Sequence, residues 1–473
     1  MSALLHLHQI VPWLSGARLC AVADVALLRV HTDTRTIAPG DLFVALKGEK
    51  FDANELLAQA QQQGAAAAIC HVGASAKAQG LPCVEVPDTR VALGELARAW
   101  RARFELPLIA VTGSNGKTTV TQMLASILAC HRPDGGALAT RGNLNNDVGV
   151  PLTLLGLRAA HQIAVVELGM NHPGEIATLA AMAQPTVALV NNAQREHLEF
   201  MHTVQAVAEE NGAVLGALPA LGTAVFPNDD TYSALWRTRA GARRCVTFAL
   251  DAAASADQLG CVAAQWQQGA WQVQAQGMGV ELHYRLAIAG RHNVKNSLAA
   301  AACALAAGVP APTVVAGLQA FAPVKGRSRA LALTVGTRTC TLVDDTYNAN
   351  PDSVRAAIEV LADLPEPRLL VLGDMGEVGT QGPQFHAEAG QLAKERGIEH
   401  VLTLGVLSRH AADACAGARH FDSMDDLLAV APLMLPAVNS ILVKGSRFMR
   451  MERVVDALVA QYPSAPNGGN ACS

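Results

Sequence analysis

Lys117, Thr118, Glu167 and His197 are four side chains whose types suit one kind of chemistry, the transfer of a phosphoryl group from a nucleotide. The first two stand in AVTGSNGKTTV, residues 110–120, where Gly113 and Gly116 remove side chains so that backbone N–H groups can approach phosphate oxygens. In such a loop Lys117 would bridge the β- and γ-phosphates, and Thr118 would place its hydroxyl on Mg²⁺. The loop runs Gly113, Ser114, Asn115, Gly116, Lys117, Thr118, Thr119 and is shorter than the usual phosphate loop, whose first glycine falls on Val111. The bland alternative is an ordinary glycine-rich turn, and the flanking strand and helix argue against it.

Glu167 and His197 close the runs VVELGMN and VNNAQREHLE. Side chains just past the carboxyl ends of neighbouring parallel strands converge on the ligand crevice. A carboxylate and an imidazole there suit one or two magnesium ions, although histidine is the softer ligand. Thr118, Glu167 and His197 are therefore the candidate metal ligands. Taken singly, a solvated turn at Glu167 and a helix-capping His197 are equally good readings; the phosphate loop beside them favours the functional one.

Positioning such a set needs an α/β scaffold, and the chain supplies one. VALGELARAWRARF predicts a helix, LPLIAVTG a strand, and KTTVTQMLASILAC a second helix, so the glycine loop sits between strand and helix. IAVVELG and TVALVNNA continue the alternation and predict a mostly parallel sheet covered on both faces. Residues 257–290, with Trp266, Trp271 and Tyr284, predict a small antiparallel addition, followed by a helix from about Asn293 to Gly308. DLFVAL, AAAAIC and the helical ANELLAQAQQQG make residues 1–86 a small α/β unit. From residue 323, CTLVDDTY, RLLVLGDM, HVLTLG and SILVKGS restart a doubly wound pattern. The division expected is 1–86, 87–322 and 323–473, with SAPNGGNACS as a disordered tail.

Composition narrows the function. The chain has 473 residues and a net charge of −4, with no long basic run, which argues against a nucleic-acid surface. The apolar N-terminal stretch is broken by His6, His8 and Gln9 and lacks a basic start, so it does not read as a signal peptide, and no run is long enough to span a membrane. The ten cysteines include no Cys-x-x-Cys pair, which suits reduced thiols and a cytoplasmic location. Lysine is scarce, with eight residues, so positions that keep it weakly suggest a need for a compact ammonium.

TGSNGKTT, ELGMNHPGEI, GRHNVKNSLAA, DDTYNANPDS, LGDMGEVG and LVKGSRFMRME together resemble the motifs of the Mur ligase family, which builds the peptide of bacterial peptidoglycan. The resemblance covers nearly the whole chain, and the shortened loop is also that family's form. It implies a three-domain α/β fold: a central P-loop parallel-sheet domain, a small UDP-binding domain before it and a C-terminal Rossmann-like domain after it. DDTYNANPDS and VKGSRFMRME are similar to the branch that adds D-alanyl-D-alanine to UDP-N-acetylmuramoyl-tripeptide. That branch implies a monomeric, ATP- and Mg²⁺-dependent amide ligase working through an acyl phosphate.

The resemblance also assigns residues. His292, Asn293 and Asn296 would lie at the ATP, with Asn296 near the adenine, while Arg327 and Asp345 would reach the nucleotide from the third domain. Lys117, Glu167, His197 and Arg327 would be the catalytic set. Asp33, Thr34, Arg35, Lys47 and Gly48 would hold the UDP moiety, and Asn143, Asn145, Asn146 and Asp147 the muramoyl peptide. Asn348, Asn350, Lys444 and Ser446 would face the dipeptide, Lys444 pairing with its carboxylate. Asparagine-rich loops are commonly just turns, Asn293 could cap its helix, and Arg327 could be a solvated charge.

One position departs from the family's pattern: the lysine that is usually carbamylated to help hold a second magnesium is matched here by Asn211. A neutral amide cannot take up CO₂, so Glu210 or Glu196 is expected to restore the charge, and activity is expected not to respond to bicarbonate. Three other readings stay open: a sister ligase adding a diamino acid, a P-loop kinase or GTPase, and a nucleotide-binding scaffold without catalysis.

Overall fold

The computed structural model describes residues 4–20, 24–251, 255–267 and 269–463. The tail expected to be disordered lies outside the described residues. Three large sheets follow one another along the chain.

The first sheet has five strands in the order Arg18–Cys20, Cys83–Val86, Ala67–His71, Asp41–Val44, Arg29–His31, parallel except for the antiparallel edge strand Arg18–Cys20. Alternate residues of its strands enter different cores: Leu42 and Val44 face one, Phe43 and Ala45 the other. That is the period-two consequence of a sheet buried on both faces.

The central sheet has nine strands, with Leu108–Thr112 flanked by Val187–Val190 and Ile163–Glu167, all parallel. Leu108 and Ala110 point into one core and Ile109 and Val111 into the other. Beyond Thr223–Pro227 and Arg244–Ala249, the strands Gln258–Gln267, Ala270–Gly277 and Val280–Leu286 form the antiparallel extension that the alternating Trp266, Trp271 and Tyr284 predict. Helices Lys117–His131, Arg291–Ala306 and Ala311–Ala320 cover one face; the last of these was not among the sequence expectations.

The third sheet has six strands, parallel apart from Arg329–Val335, which pairs antiparallel with Arg338–Asp345. The hairpin strand Arg329–Val335 is an addition to the sequence reading: RALALTV shows the mixed exposure of an edge strand rather than the unbroken apolar run of the central ones.

One apolar core runs without a break from Leu4 and Leu7 through Leu93, Leu96 and Trp100 to Ala110, Val166 and Trp236. It joins the first sheet to the central one through helix Thr89–Arg101. Arg101, buried at its end, donates to the carbonyls of Ala183, Leu106 and Gln184, a cation neutralised only by backbone dipoles. Among the described residues no helix is long and apolar enough to cross a membrane.

Candidate active site

The glycine loop leaves the end of Leu108–Thr112 and becomes helix Lys117–His131. Gly113 (φ +131°) and Gly116 (φ +83°) adopt backbone conformations that side chains resist, and a Cβ on Gly116 would stand 2.5 Å from Asn296 Oδ1. The turn is held by a pair of asparagines after the neighbouring strand. Asn191 Nδ2 and Asn192 Nδ2 donate to the Asn115 carbonyl at 2.8 and 2.9 Å, and Asn192 Oδ1 accepts from Asn115 N at 2.9 Å. Asn191 also donates to Asn296 Oδ1 (2.9 Å), whose amide donates to Asn293 Oδ1 (2.9 Å), so Asn293 and Asn296 brace the loop from helix Arg291–Ala306.

Lys117 Nζ folds back over its own loop, donating to the Gly113 and Ser114 carbonyls at 2.6 and 3.1 Å and pairing with Glu196 Oε1 at 2.8 Å. Burial opposes charge on Glu196, yet Lys117 and His197 hold its carboxyl below the usual range. His197 lies between two carboxylates, Glu377 against Nδ1 and Glu196 3.5 Å from Nε2. Burial disfavours the imidazolium, but these partners prevail and raise it to about 9. As placed, His197 turns both ring nitrogens toward carboxylates inside the cavity.

Glu167 ends its strand fully buried, with Oε1 accepting from Asn145 Nδ2 (2.7 Å) and Thr118 Oγ1 (3.2 Å). Its Oε2 is buried and has no partner. A buried anionic oxygen left unpaired beside a threonine hydroxyl fits a hard cation that completes its shell with phosphate and water oxygens. Among the described residues no three acidic, histidine or cysteine side chains form a ready-made metal cluster.

Across the cleft stands the third unit. Arg327 Nη2 donates to Thr118 Oγ1 at 3.3 Å while its guanidinium lies 3.9 Å from the centre of the Tyr347 ring. Partly buried Asp345 accepts from Ser328 N (3.0 Å) and from Lys444 Nζ (2.6 Å); burial opposes its charge, but Lys444 lowers its pKa. Lys444 also donates to the Asn348 carbonyl and lines the cavity. Asn350 caps helix Pro351–Ala362 through Ser353 N (2.8 Å) and donates to Asn115 Oδ1 (2.9 Å), tying the third unit to the phosphate loop. Ser446 Oγ accepts from Gly376 N at 2.6 Å. Burial lowers the His292 pKa.

These residues line one cavity of about 1600 Å³. It brings together Ser114 to Thr119, Asn143, Asn145, Asn146, Asp147, Glu167, His197, His292, Asn293, Asn296, Arg327, Asp345, Asn348, Asn350, Lys444 and Ser446. Gly113 lies beneath the lining, packed on Asn191. Asp33, Thr34, Arg35, Lys47 and Gly48 are not part of that lining; Asp33 and Arg35 pair with each other at 2.7 Å in a short surface helix, and Lys47 faces Asp52 at 3.8 Å. Arg90, Asn191, Asn192, Glu377 and Tyr347 line the cavity without having been singled out from the sequence. The Asn191-Asn192 doublet at a strand end and the LGDMGEVG motif around Glu377 were the available signals, whereas Arg90 carries none.

Asn211 and Glu210 answer the question raised by the departing position. Asn211 is buried, accepting from Thr112 Oγ1 (2.6 Å) and donating to the Val207 carbonyl (3.1 Å). Glu210 accepts from Gly174 N and Ile176 N at 2.8 and 2.7 Å, capping helix Glu175–Ala183, and it does not line the cavity. Of the two carboxylates considered as replacements, only Glu196 faces the site.

Residues 111–304 match the Mur ligase middle domain, 331–447 the Mur ligase glutamate ligase domain, and 29–101 the Mur ligase family catalytic domain. The chain is 40% identical to the UDP-N-acetylmuramoyl-tripeptide–D-alanyl-D-alanine ligase of Escherichia coli (strain K12), covering 92% of this chain and 94% of that one. It is 37% identical to the enzyme of the same description from Haemophilus influenzae, covering 93% and 96%. Its fold is similar to the crystal structure of MurF from Acinetobacter baumannii, with a TM-score of 0.85 and 34% identity over 92% of this chain and 94% of that one.

Proposed function

The chain belongs to the Mur ligase family, and we propose that it joins D-alanyl-D-alanine to UDP-N-acetylmuramoyl-tripeptide with ATP as the energy source, a step of peptidoglycan synthesis. The observation that carries this reading is the meeting of Arg327 and Thr118: a cation from the third unit reaches the hydroxyl of the phosphate loop across a cavity large enough for nucleotide and peptide together.

A carboxylate is a poor electrophile. The γ-phosphoryl of ATP passes to the terminal carboxylate of the tripeptide, giving ADP and an acyl phosphate. The dipeptide amine then attacks the carbonyl carbon, and the tetrahedral intermediate expels inorganic phosphate, leaving the amide. The protein supplies position and opposite charge. The amide-rich start of helix Lys117–His131 cradles the phosphates, Lys117 leaves Glu196 for their oxygens, and Arg327 covers the transferred group from the other side. Thr118 and Glu167 would hold Mg²⁺, which supplies neutralisation of phosphate charge when bound. Asn145 orients Glu167. In this reading residues 1–86 carry the UDP end of the substrate, 87–322 the nucleotide, and 323–473 the dipeptide.

The test is phosphate release from ATP with UDP-N-acetylmuramoyl-tripeptide present and D-alanyl-D-alanine added or withheld, with the product weighed by mass spectrometry. Release that requires both substrates and yields the pentapeptide supports the reading. Incorporation of meso-diaminopimelate into the dipeptide precursor would replace it with the sister ligase, and a stable phosphorylated product with a kinase.

A further inference from the structure

Glu196 is buried, one residue from His197, and its two oxygens are treated differently. Oε1 pairs with Lys117 Nζ at 2.8 Å, while Oε2 is buried without any partner. An ionised carboxylate in such a place is costly unless cations surround it. Its present cation is on loan: Lys117 is the phosphate-binding lysine, and a polyphosphate drawing that ammonium away leaves Glu196 with a full charge and no counterion beyond His197. Glu167 Oε2, unpartnered in the same way, lines the same cavity.

We propose that Glu196 is a second cation-binding carboxylate of this centre, masked by Lys117 in the empty site and exposed to a divalent cation when nucleotide phosphate takes the lysine. This rests on the nucleotide-binding reading above. A hard divalent ion needs only one or two carboxylates when phosphate and water oxygens fill the rest of its shell, so no three-residue protein cluster is required. The neighbouring alternatives are spent: Asn211 is neutral and bonded to Thr112, and both Glu210 oxygens are bonded to backbone amides. Coupling follows from charge: the Lys117 ammonium, 2.8 Å from Glu196 Oε1, repels a divalent cation on the same carboxylate, so the site opens to the ion when phosphate takes the lysine. The second ion binds after the nucleotide.

The experiment measures Mn²⁺ binding to the full chain by electron paramagnetic resonance, with and without the non-hydrolysable ATP analogue AMP-PCP, for wild type and Glu196→Gln. Metal-free AMP-PCP affinity is read separately by calorimetry. The expected result is that wild type gains a manganese site with AMP-PCP that Glu196→Gln either lacks or binds at least about tenfold more weakly. Metal-free nucleotide affinity of the variant is expected to be unchanged or higher, since Lys117 is freed. Equal manganese number and affinity in the two proteins overturns the proposal while leaving the nucleotide reading intact. Failure of wild type to bind AMP-PCP overturns both. Glu196→Asp keeps the charge on a shorter arm and gives the same readout if the glutamine variant does not fold: weaker manganese at unchanged nucleotide affinity supports the proposal, unchanged manganese overturns it.

Discussion

Arg195 and Asp352 meet across the cleft as a forked ion pair, the guanidinium Nη2 and Nε lying 2.9 and 3.2 Å from Oδ1 while the Arg195 backbone N–H donates to Oδ2 at 2.8 Å. Arg195 follows the central strand Val187–Val190, and Asp352 sits in the first turn of helix Pro351–Ala362 of the third unit. A second carboxylate, Glu388, takes Nη1 at 2.8 Å, and Phe385 lies under the guanidinium at 5.0 Å. One side chain thus gathers three partners from the opposite wall.

Arg195→Ala is expected to favour the open arrangement. Removing one member of a largely buried pair strands the other, and kcat/KM should fall by about ten- to a hundredfold with little loss of global stability. Small-angle scattering with nucleotide bound checks the cause: the variant should keep a larger radius of gyration than wild type.

Arg327 has two jobs that a lysine cannot combine, stacking on Tyr347 and reaching Thr118. Arg327→Ala should lower kcat by about a hundredfold or more with a modest change in KM for ATP, the pattern of an interaction made mainly in the transition state. Arg327→Lys should recover little of it. Steady-state kinetics on both variants decides.

Gly116→Ala forces a Cβ to 2.5 Å from Asn296 Oδ1 at a φ of +83°. The strain, about 1–3 kcal/mol, falls on the loop that must cradle the phosphates, so affinity for an ATP analogue should drop by about ten- to a hundredfold. Calorimetric titration measures it directly.

Glu85 makes the first unit sensitive to acid. Burial pushes its carboxyl up, but the Ser75 hydroxyl, Arg18 and the Gly73 and Ser75 amides bring it down to about 2. A depressed carboxylate contributes stability above its unfolded value, and that contribution is lost as pH falls from about 4.5 through about 2. The contribution is about 3 kcal/mol at neutral pH. Denaturant unfolding at pH 7 and pH 3 should show a gap in wild type that shrinks in Glu85→Gln.

The parts legible in the sequence are those that local chemistry encodes. Gly113 to Thr119 between an apolar strand and a helix could hardly be another structure, and short apolar runs marked strands in all three sheets, with alternation only in the antiparallel extension. The site residues written as motifs, from Asn145 to Ser446, do converge on one cavity. Arg195, Glu377 and Arg90 were missed because their partners, Asp352, His197 and Asp147, are distant in sequence and belong to contacts made only after the units assemble. The closeness of Lys444 to Asp345 was not legible: ninety-nine positions separate them, and only the pairing of strands Arg338–Asp345 and Ser440–Lys444 reveals that Asp345 is its direct neighbour. Glu210 was a fair candidate by charge and failed by direction, since its helix turns it toward the amides of Gly174 and Ile176.

The unbroken apolar core from Leu7 to Trp236 has a mechanical consequence. Close-packed side chains resist shear, so the first two units behave as one anvil, while the third meets it mainly through the polar bonds of Arg195, Glu377 and Asn350, with Leu198 as an apolar contact. Polar bonds exchange readily with water. A motion that opens the cleft is therefore expected to break the second joint and leave the first intact, since only the second can trade its bonds for water without exposing a large apolar core.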